Sequence, residues 1–340
     1  MDDMISDAGL VAMVGLFGGI LLGLAARIGR FCTLGAIEDL YYGEKTLRLR
    51  MWGIAIGVSV VGTFGLSLTG LLDLQQTLYL GRSWNPLANI FGGLVFGYGM
   101  ALAGNCGYGA LARVGGGDLR SLLIVLIMGI SAYVTLGGPL SSVRIWAFGV
   151  TEDVAGLATF AQSLAQISGS SVEISGIAIG MGILCLTLLN GNLRREPSYI
   201  FWGAIAGLTI VSGWAGTQWV ASTGFDATNV VTHTFSAPIG ETMLYAMTSS
   251  GNSISFGTGS VVGVIIGAFL GSLFKGHFRW EACDDPRELR RQILGAALMG
   301  IGAVVAVGCS VGQGLSAFSV LAFSAPVTLA CIMAGAAIGL

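Results

Sequence analysis

Long apolar segments that carry almost no charge limit the fold of this chain more than any other feature. From hydropathy and helix breakers we predict nine membrane-crossing segments, at 8–28, 51–72, 89–112, 121–137, 173–192, 198–220, 259–274, 292–315 and 318–340. Only 10% of the 340 residues are charged, whereas a soluble domain has about 25%. Water cannot solvate such a surface, so we predict an all-α membrane protein with a single transmembrane domain over 1–340.

The distribution of basic residues among the loops predicts the orientation. Fourteen of the sixteen lysines and arginines fall in four connections that would lie on one side of the membrane, at 27–50, 113–120, 193–197 and 275–291. Because cytoplasmic loops are enriched in basic residues, we predict that the N-terminus lies outside and the C-terminus inside. The net charge of −2 argues against a nucleic-acid partner.

Internal similarity predicts that the chain contains two related copies. A shift of 203 residues aligns FGYGMALAGNCGYGAL (96–111) with MGIGAVVAVGCSVGQG (299–314) and places Cys106 on Cys309. A weaker match, at a shift of 184, aligns GGILLG near the N-terminus with WGAIAG in the sixth segment. Chance similarity between Gly/Ala-rich stretches is the alternative explanation for both matches.

The position of the copies along the chain predicts their relative orientation. Segments one to four and six to nine would form the copies, and the odd number of crossings between them would invert the second copy. Inverted repeats with broken helices and a central solute site are typical of transporters. The predicted parts are a first repeat at 8–137, an outer loop and linking helix at 138–197, and a second repeat at 198–340.

Each copy carries one cysteine between glycines in an apolar segment, in GNCGYG (104–109) and GCSVGQG (308–314). These glycines disfavour a continuous helix, and a chain break in the membrane is tolerated only against protein or water. Amides at a half-helix N-terminus can bind an anion without a formal charge. We predict that Cys106 and Cys309 face each other across a narrow passage; the alternative is that each fills a packing gap. The neighbours expected to contribute are Asn105, Gly107, Tyr108, Ser310 and Gln313.

A third cysteine follows two arginines in RIGRFCTLG (27–35). Arg30 either faces the path or extends its side chain to the membrane interface. Arg82, in a loop predicted to lie outside, could attract an anion at the mouth, although an ordinary solvated arginine fits the same position. None of the six cysteines forms a CxxC pair, so we predict no metal site and no cofactor.

Taken in order, RIGRFC, GNCGYGAL and GCSVGQGLS resemble the motifs of the YeeE/YedE family of bacterial membrane proteins, over nearly the whole chain. The resemblance implies an hourglass of two pseudosymmetric halves in the inner membrane, with short re-entrant helices from both sides. In that membrane, the outer side predicted above for the N-terminus is the periplasm, and the C-terminus lies in the cytoplasm. Family members are implicated in thiosulfate uptake, and some relatives in selenium metabolism. The resemblance also implies that Cys32, Cys106 and Cys309 pass the anion inward, and it suggests a cytoplasmic sulfur-carrier protein as a partner.

Stacked thiols suit an anion with a soft terminal sulfur, because S–H groups are weak donors that bind without trapping the ion. The leading hypothesis is therefore uptake of thiosulfate through a three-cysteine relay. Transport of another sulfur or selenium compound is an alternative. So is a membrane-embedded thiol enzyme or sulfur carrier in which Cys106 attacks, but no His, Glu or Lys adjoins the three cysteines to activate a thiol. We thus predict a transporter rather than an enzyme.

Overall fold

The computed structural model describes residues 6–43, 45–81, 84–149, 159–224, 228–282 and 285–340, which are helical apart from connections and isolated β-bridges. The α-helices in these residues are α1 (Asp7–Arg27), α2 (Thr33–Tyr41), α3 (Leu47–Leu68), α4 (Pro86–Ala103), α5 (Gly107–Gly115), α6 (Leu119–Leu136), α7 (Ser141–Ala147), α8 (Phe160–Ser168), α9 (Val172–Leu188), α10 (Gly191–Arg194), α11 (Pro197–Thr223), α12 (Ala237–Thr248), α13 (Phe256–Phe274), α14 (Pro286–Val305) and α15 (Ser324–Gly339). A further short helix at 310–319, here called the 310–319 helix, is π-helical over Gly312–Ala317.

Six helical stretches in the described residues are long and apolar enough to cross a membrane, namely α1, α3, α4 with α5, α6, α11 and α13. The pair α8 and α9, bent by 110°, brings the number to seven if it forms one span. The chain is therefore a multi-pass membrane protein, with fewer candidate spans than the nine predicted segments. Two of the nine do not qualify because α14 begins with charged residues such as Arg287 and Glu288, and because α15 has only 16 residues.

The predicted segment 89–112 is not one helix. Helix α4 ends at Ala103, Gly104 adopts the left-handed conformation with φ +74, and α5 begins at Gly107. The glycine makes this turn without strain because it has no Cβ. Helices also lie between the predicted crossing segments, since α7 and α8 lie between the segments 121–137 and 173–192, and α12 lies between 198–220 and 259–274.

The predicted segment 292–315 is divided in the same way. Helix α14 ends at Val305, a turn follows with φ +55 at Val307, and the 310–319 helix begins directly after Cys309. The shift of 203 residues that aligns the two cysteines also aligns Gly104 with Val307. The same left-handed turn therefore occurs at equivalent positions of the two motifs. The last predicted segment, 318–340, begins too early, because its first residues complete the 310–319 helix.

Glycines allow the long helices to approach each other closely. A Cβ at Gly259 of α13 would collide with the carbonyl oxygen of Ala12 in α1, and a Cβ at Gly97 of α4 with that of Ile332 in α15. Backbones can pack this tightly only where a small residue stands at the crossing. Helix α1 packs against α13 and α11, α3 packs against α11 and α9, and α4 packs against α14 and α15, while α14 also packs against α6. The short helices α2, α5 and 310–319 lie among these long helices.

Candidate functional site

The three cysteines singled out in the sequence share one local geometry, in which each precedes a short helix and caps its first turn. Each sulfur accepts a hydrogen bond from the backbone N–H of the glycine three residues later, at 3.5 Å for Cys32 and at 3.4 Å for both Cys106 and Cys309. The spacing Cys-x-x-Gly is found at these three cysteines and not at the other three of the sequence. This signal was available in the sequence and was missed.

The capping geometry has two chemical consequences. The first turn of a helix presents backbone N–H groups and a partial positive charge, which favour an anion. Because each sulfur acts as an acceptor toward its own helix, the cap does not use its S–H proton, which can be donated to another group. Each cysteine therefore offers a weak donor beside a neutral site suited to an anion.

The structure brings the three cysteines together. Cys106 is fully buried, its electrostatic neighbours include Cys32 and Cys309, and the hydroxyl group of Ser310 lies beside it. Cys309 is also buried, whereas Cys32 is partly exposed. The predicted residue Ser310 is thus next to a cysteine of the other motif.

Cys309 is held by more contacts than the other two cysteines. Its sulfur also accepts a hydrogen bond from the backbone N–H of Phe235 at 3.4 Å and lies 3.7 Å from the hydroxyl oxygen of Thr234. These residues belong to the connection between α11 and α12, in which no site residue was predicted from the sequence. Nothing in the sequence pairs this loop with Cys309, so the contact emerges only from the fold.

A cavity of about 810 Å³ opens at Cys32 and is called the basic cavity here. The cationic side chains that line it are Arg27, Arg30, Arg48, Arg113, Lys275 and Arg279. The acidic ones are Glu38 and Glu281. Arg48 pairs with Asp39 at 3.2 Å and Arg279 with Glu281 at 3.1 Å, whereas Arg30 and Arg113 have no ion-pair partner among the described residues. The excess positive charge favours an anion next to Cys32, and Arg30 is part of the cavity wall.

A second, much smaller cavity of about 70 Å³ lies at the turn before Cys309 and includes Asn89, Val307 and Gln313 in its wall. The side-chain amide of Gln313 donates hydrogen bonds to the carbonyl oxygens of Ala306 and Val307, at 2.9 and 3.0 Å. A β-branched residue with positive φ is unusual, and these bonds hold Val307 in that conformation. Cys106 and Cys309 are buried and line neither cavity, but Cys106 follows Asn105 of the basic cavity and Cys309 follows the turn that lines the small one.

The other predicted site residues have different surroundings. The hydroxyl group of Tyr108 donates a hydrogen bond to the carbonyl oxygen of Leu22 at 2.6 Å, so its proton is already engaged within the protein. A Cβ at Gly107 would press on the side chain of Met128, which indicates close packing at the start of α5. Asn105 lines the basic cavity, and its side-chain nitrogen is buried with no hydrogen-bond partner among the described residues. Arg82 lies outside the described residues.

Comparison with known proteins identifies the family of this chain. Residues 28–338 match the model of a family described as sulphur transport. The thiosulfate transporter TsuA of Spirochaeta thermophila is 26% identical over 318 residues, which cover 91% of this chain and 92% of the relative. The thiosulfate transporter TsuA of Escherichia coli is 27% identical over 317 residues, which cover 88% of this chain and 86% of the relative. The family match spans all three cysteines, and the chain therefore belongs to the sulphur transport (YeeE/YedE) family.

Proposed function

We propose that this protein takes up thiosulfate across the bacterial inner membrane through a constriction lined by Cys32, Cys106 and Cys309. The observation that carries the proposal is the shared geometry of these cysteines, which lie close together and each cap a short helix without using the S–H proton. The names of the two relatives, both thiosulfate transporters, support the choice of substrate.

We further propose that residues 8–137 and 198–340 are inverted repeats and that α14 and α15 also cross the membrane, which makes nine crossings in an hourglass. The pattern of helix contacts supports this arrangement. In the two repeats α1 would correspond to α11, α3 to α13, α4 to α14 and α6 to α15. The contact of α1 with α13 then has its counterpart in the contact of α11 with α3, and the contact of α4 with α15 has its counterpart in the contact of α14 with α6. The short helices show the same correspondence between repeats. Helix α5 packs on α13 and α6, and the 310–319 helix packs on their counterparts α3 and α15.

The basic cavity is proposed to open to the cytoplasm. Its wall includes residues from the connections at 27–50 and 275–291, which carry much of the positive charge of the chain. The enrichment of cytoplasmic loops in basic residues supports this orientation, with the N-terminus in the periplasm.

The positions of the cysteines support an order for the relay. Cys309 adjoins the turn that lines the small cavity, Cys106 is enclosed, and Cys32 opens to the basic cavity. A soft terminal sulfur would accept a weak S–H hydrogen bond from each thiol in this order. The oxygen atoms would meet the N-termini of the three short helices, which stabilise negative charge without trapping the ion as a fixed cation would.

Uptake of labelled thiosulfate by cells that depend on this protein tests the proposal. We expect Cys32→Ala, Cys106→Ala and Cys309→Ala each to abolish uptake while the protein still inserts. Cys185→Ala, which changes an exposed cysteine of α9, is the matched control and should transport normally. Normal uptake by all three variants would contradict the relay, and failure of the unmodified protein to transport thiosulfate would contradict the substrate.

Two further measurements separate the alternatives. Competition by sulfate, sulfite and selenium analogues identifies the preferred anion if it is another sulfur or selenium compound. Mass spectrometry of protein trapped during uptake detects a persulfide or a Cys106–Cys309 disulfide, either of which would favour a thiol carrier or redox enzyme. We expect neither species, because a hydrogen-bonding relay leaves the thiols unmodified.

A further inference from the structure

We infer that Thr33, Trp52 and Asn105 form a neutral site that binds the oxygen atoms of the anion beside the three cysteines. The inference rests on the proposed function and adds to it, since it assigns the oxygen-bearing end of the substrate to named side chains. Neither Thr33 nor Trp52 was expected from the sequence to contact a substrate.

The first observation is that all three residues are buried and carry unsatisfied donors. Thr33, Trp52 and Asn105 are only 4%, 5% and 3% exposed. The hydroxyl group of Thr33, the indole N–H of Trp52 and the side-chain nitrogen of Asn105 have no hydrogen-bond partner among the described residues. Buried donors are nearly always paired, so three unpaired donors on residues that adjoin or pack against the cysteine-bearing turns indicate a partner that is not part of the protein.

The second observation is where these donors stand. Thr33 directly follows Cys32, and Asn105 directly precedes Cys106. The Asn105 side chain also lies beside the first turn of α5, since a Cβ at Gly109 would be 3.4 Å from its amide oxygen. Two of the three donors are therefore fixed by the same short turns that position the thiols.

Trp52 reaches this region from the long helix α3. Its ring stacks on that of Phe31, which precedes Cys32, with the ring centres 4.7 Å apart and the planes at 19°. A Cβ placed on Gly314 would lie 3.0 Å from the Cζ3 atom of the same indole. Trp52 is thus packed between the turn that carries Cys32 and the 310–319 helix that follows Cys309.

The chemistry of these groups complements that of the thiols. Hydroxyl, indole and amide protons are harder donors than S–H, and they pair best with oxygen. They carry no formal charge, so an oxyanion could bind and still leave, whereas an arginine in the same closed position would hold it. A sulfur oxyanion would then be bound at both ends, with the thiols at its soft sulfur and these donors at its oxygen atoms.

Two conservative variants test the inference through the concentration dependence of thiosulfate uptake. Trp52→Phe keeps a ring to stack on Phe31 but removes the N–H, and Thr33→Val keeps the shape but removes the O–H. Thr63→Val is the matched control, because Thr63 is a fully buried threonine of α3 whose hydroxyl is also unpaired but which does not adjoin the cysteines. We expect the KM to rise about tenfold in Trp52→Phe and in Thr33→Val, as expected for loss of a hydrogen bond to a charged ligand.

A purely structural role would give a different result. In that case the amount of inserted protein and Vmax would fall while KM stayed unchanged, or Thr63→Val would change KM by the same factor. Either result, or an unchanged KM in both Trp52→Phe and Thr33→Val, would overturn the inference. The cysteine variants separate the two ideas, because normal uptake by Cys32→Ala, Cys106→Ala and Cys309→Ala would refute the relay and still leave a raised KM in Trp52→Phe as support for the oxygen site. Absence of thiosulfate uptake by the unmodified protein would refute the proposed function, and the inference with it.

Discussion

The contacts of Cys309 predict that this cysteine supports the fold as well as the path. Its sulfur accepts hydrogen bonds from the backbone N–H groups of Gly312 and Phe235, whereas the sulfur of Cys106 accepts from Gly109. Substitution by alanine removes the same atoms at both positions. The two variants therefore differ chiefly in the additional amide that Cys309→Ala leaves without an acceptor.

The size of the difference follows from the cost of an unpaired buried donor, which is about 1–3 kcal/mol. Sulfur is a weak acceptor, so the lower part of that range applies to each amide. We expect Cys106→Ala to lower the free energy of unfolding by about 1–2 kcal/mol and Cys309→Ala by about 2–4 kcal/mol. Cys309→Ser should remain close to the unmodified protein, because a hydroxyl oxygen can accept the same bonds, but it should lose uptake because an O–H group is not a soft donor.

Thermal unfolding of the purified protein in one detergent, followed by intrinsic tryptophan fluorescence, measures this order. The unmodified protein and Cys309→Ser should unfold at the highest temperatures, Cys106→Ala at a lower one, and Cys309→Ala at the lowest. Labelled thiosulfate uptake by the same variants then separates stability from transport. If Cys309→Ala unfolds at or above the temperature of Cys106→Ala, the connection that contains Phe235 does not depend on the Cys309 sulfur and the reasoning is refuted.

Two further predictions concern helix packing and pH. Gly259→Ala should lower the free energy of unfolding by about 1–3 kcal/mol or prevent insertion, because its Cβ would collide with the Ala12 carbonyl. The control is Gly182→Ala, since no atom lies within 4 Å of a Cβ at that position. Equal effects of the two variants on thermal unfolding would contradict the packing argument. Partial burial raises the pKa of the Glu38 carboxyl, although two nearby guanidinium groups act in the opposite direction. As the pH on the side of the basic cavity falls through that raised pKa, the carboxylate becomes neutral and repels the anion less. Thiosulfate flux in proteoliposomes should therefore rise a few-fold, which corresponds to about 1 kcal/mol. In Glu38→Gln the flux should be high and independent of pH over the same interval. An identical pH profile in the unmodified protein and in Glu38→Gln would refute the role of Glu38.

Hydropathy and glycine spacing were sufficient to predict most of the helices and to select three of the six cysteines. The reason is physical: long apolar runs can satisfy their backbone groups in lipid only as helices, and glycines around a cysteine break those helices. The same pattern was less informative about spans. Residues 89–112 and 292–315 are continuous in hydropathy, but each contains a left-handed turn that divides it, at Gly104 and at Val307.

The parts of the candidate site that the sequence did not predict depend on contacts between distant elements. Trp52 stands in an apolar helix where any large residue would look like core, and its unpaired N–H becomes visible only when its neighbours are known. Phe235 is separated from Cys309 by more than seventy residues, and no spacing rule connects them. Tyr108 illustrates the opposite case, since a polar residue beside a cysteine looked like a donor for the substrate but uses its proton on Leu22.

The position of the basic cavity bears on what can drive uptake. Fixed positive charge on one side of a path raises the local concentration of anions there and changes transport rates. It does not change the internal and external concentrations at which inward and outward flux are equal. If the basic cavity faces the cytoplasm, phosphate and other cytoplasmic anions compete for the same arginines and slow the release of the transported ion. Without an energy source coupled to the path, net import then continues only while metabolism removes the cargo faster than it can return.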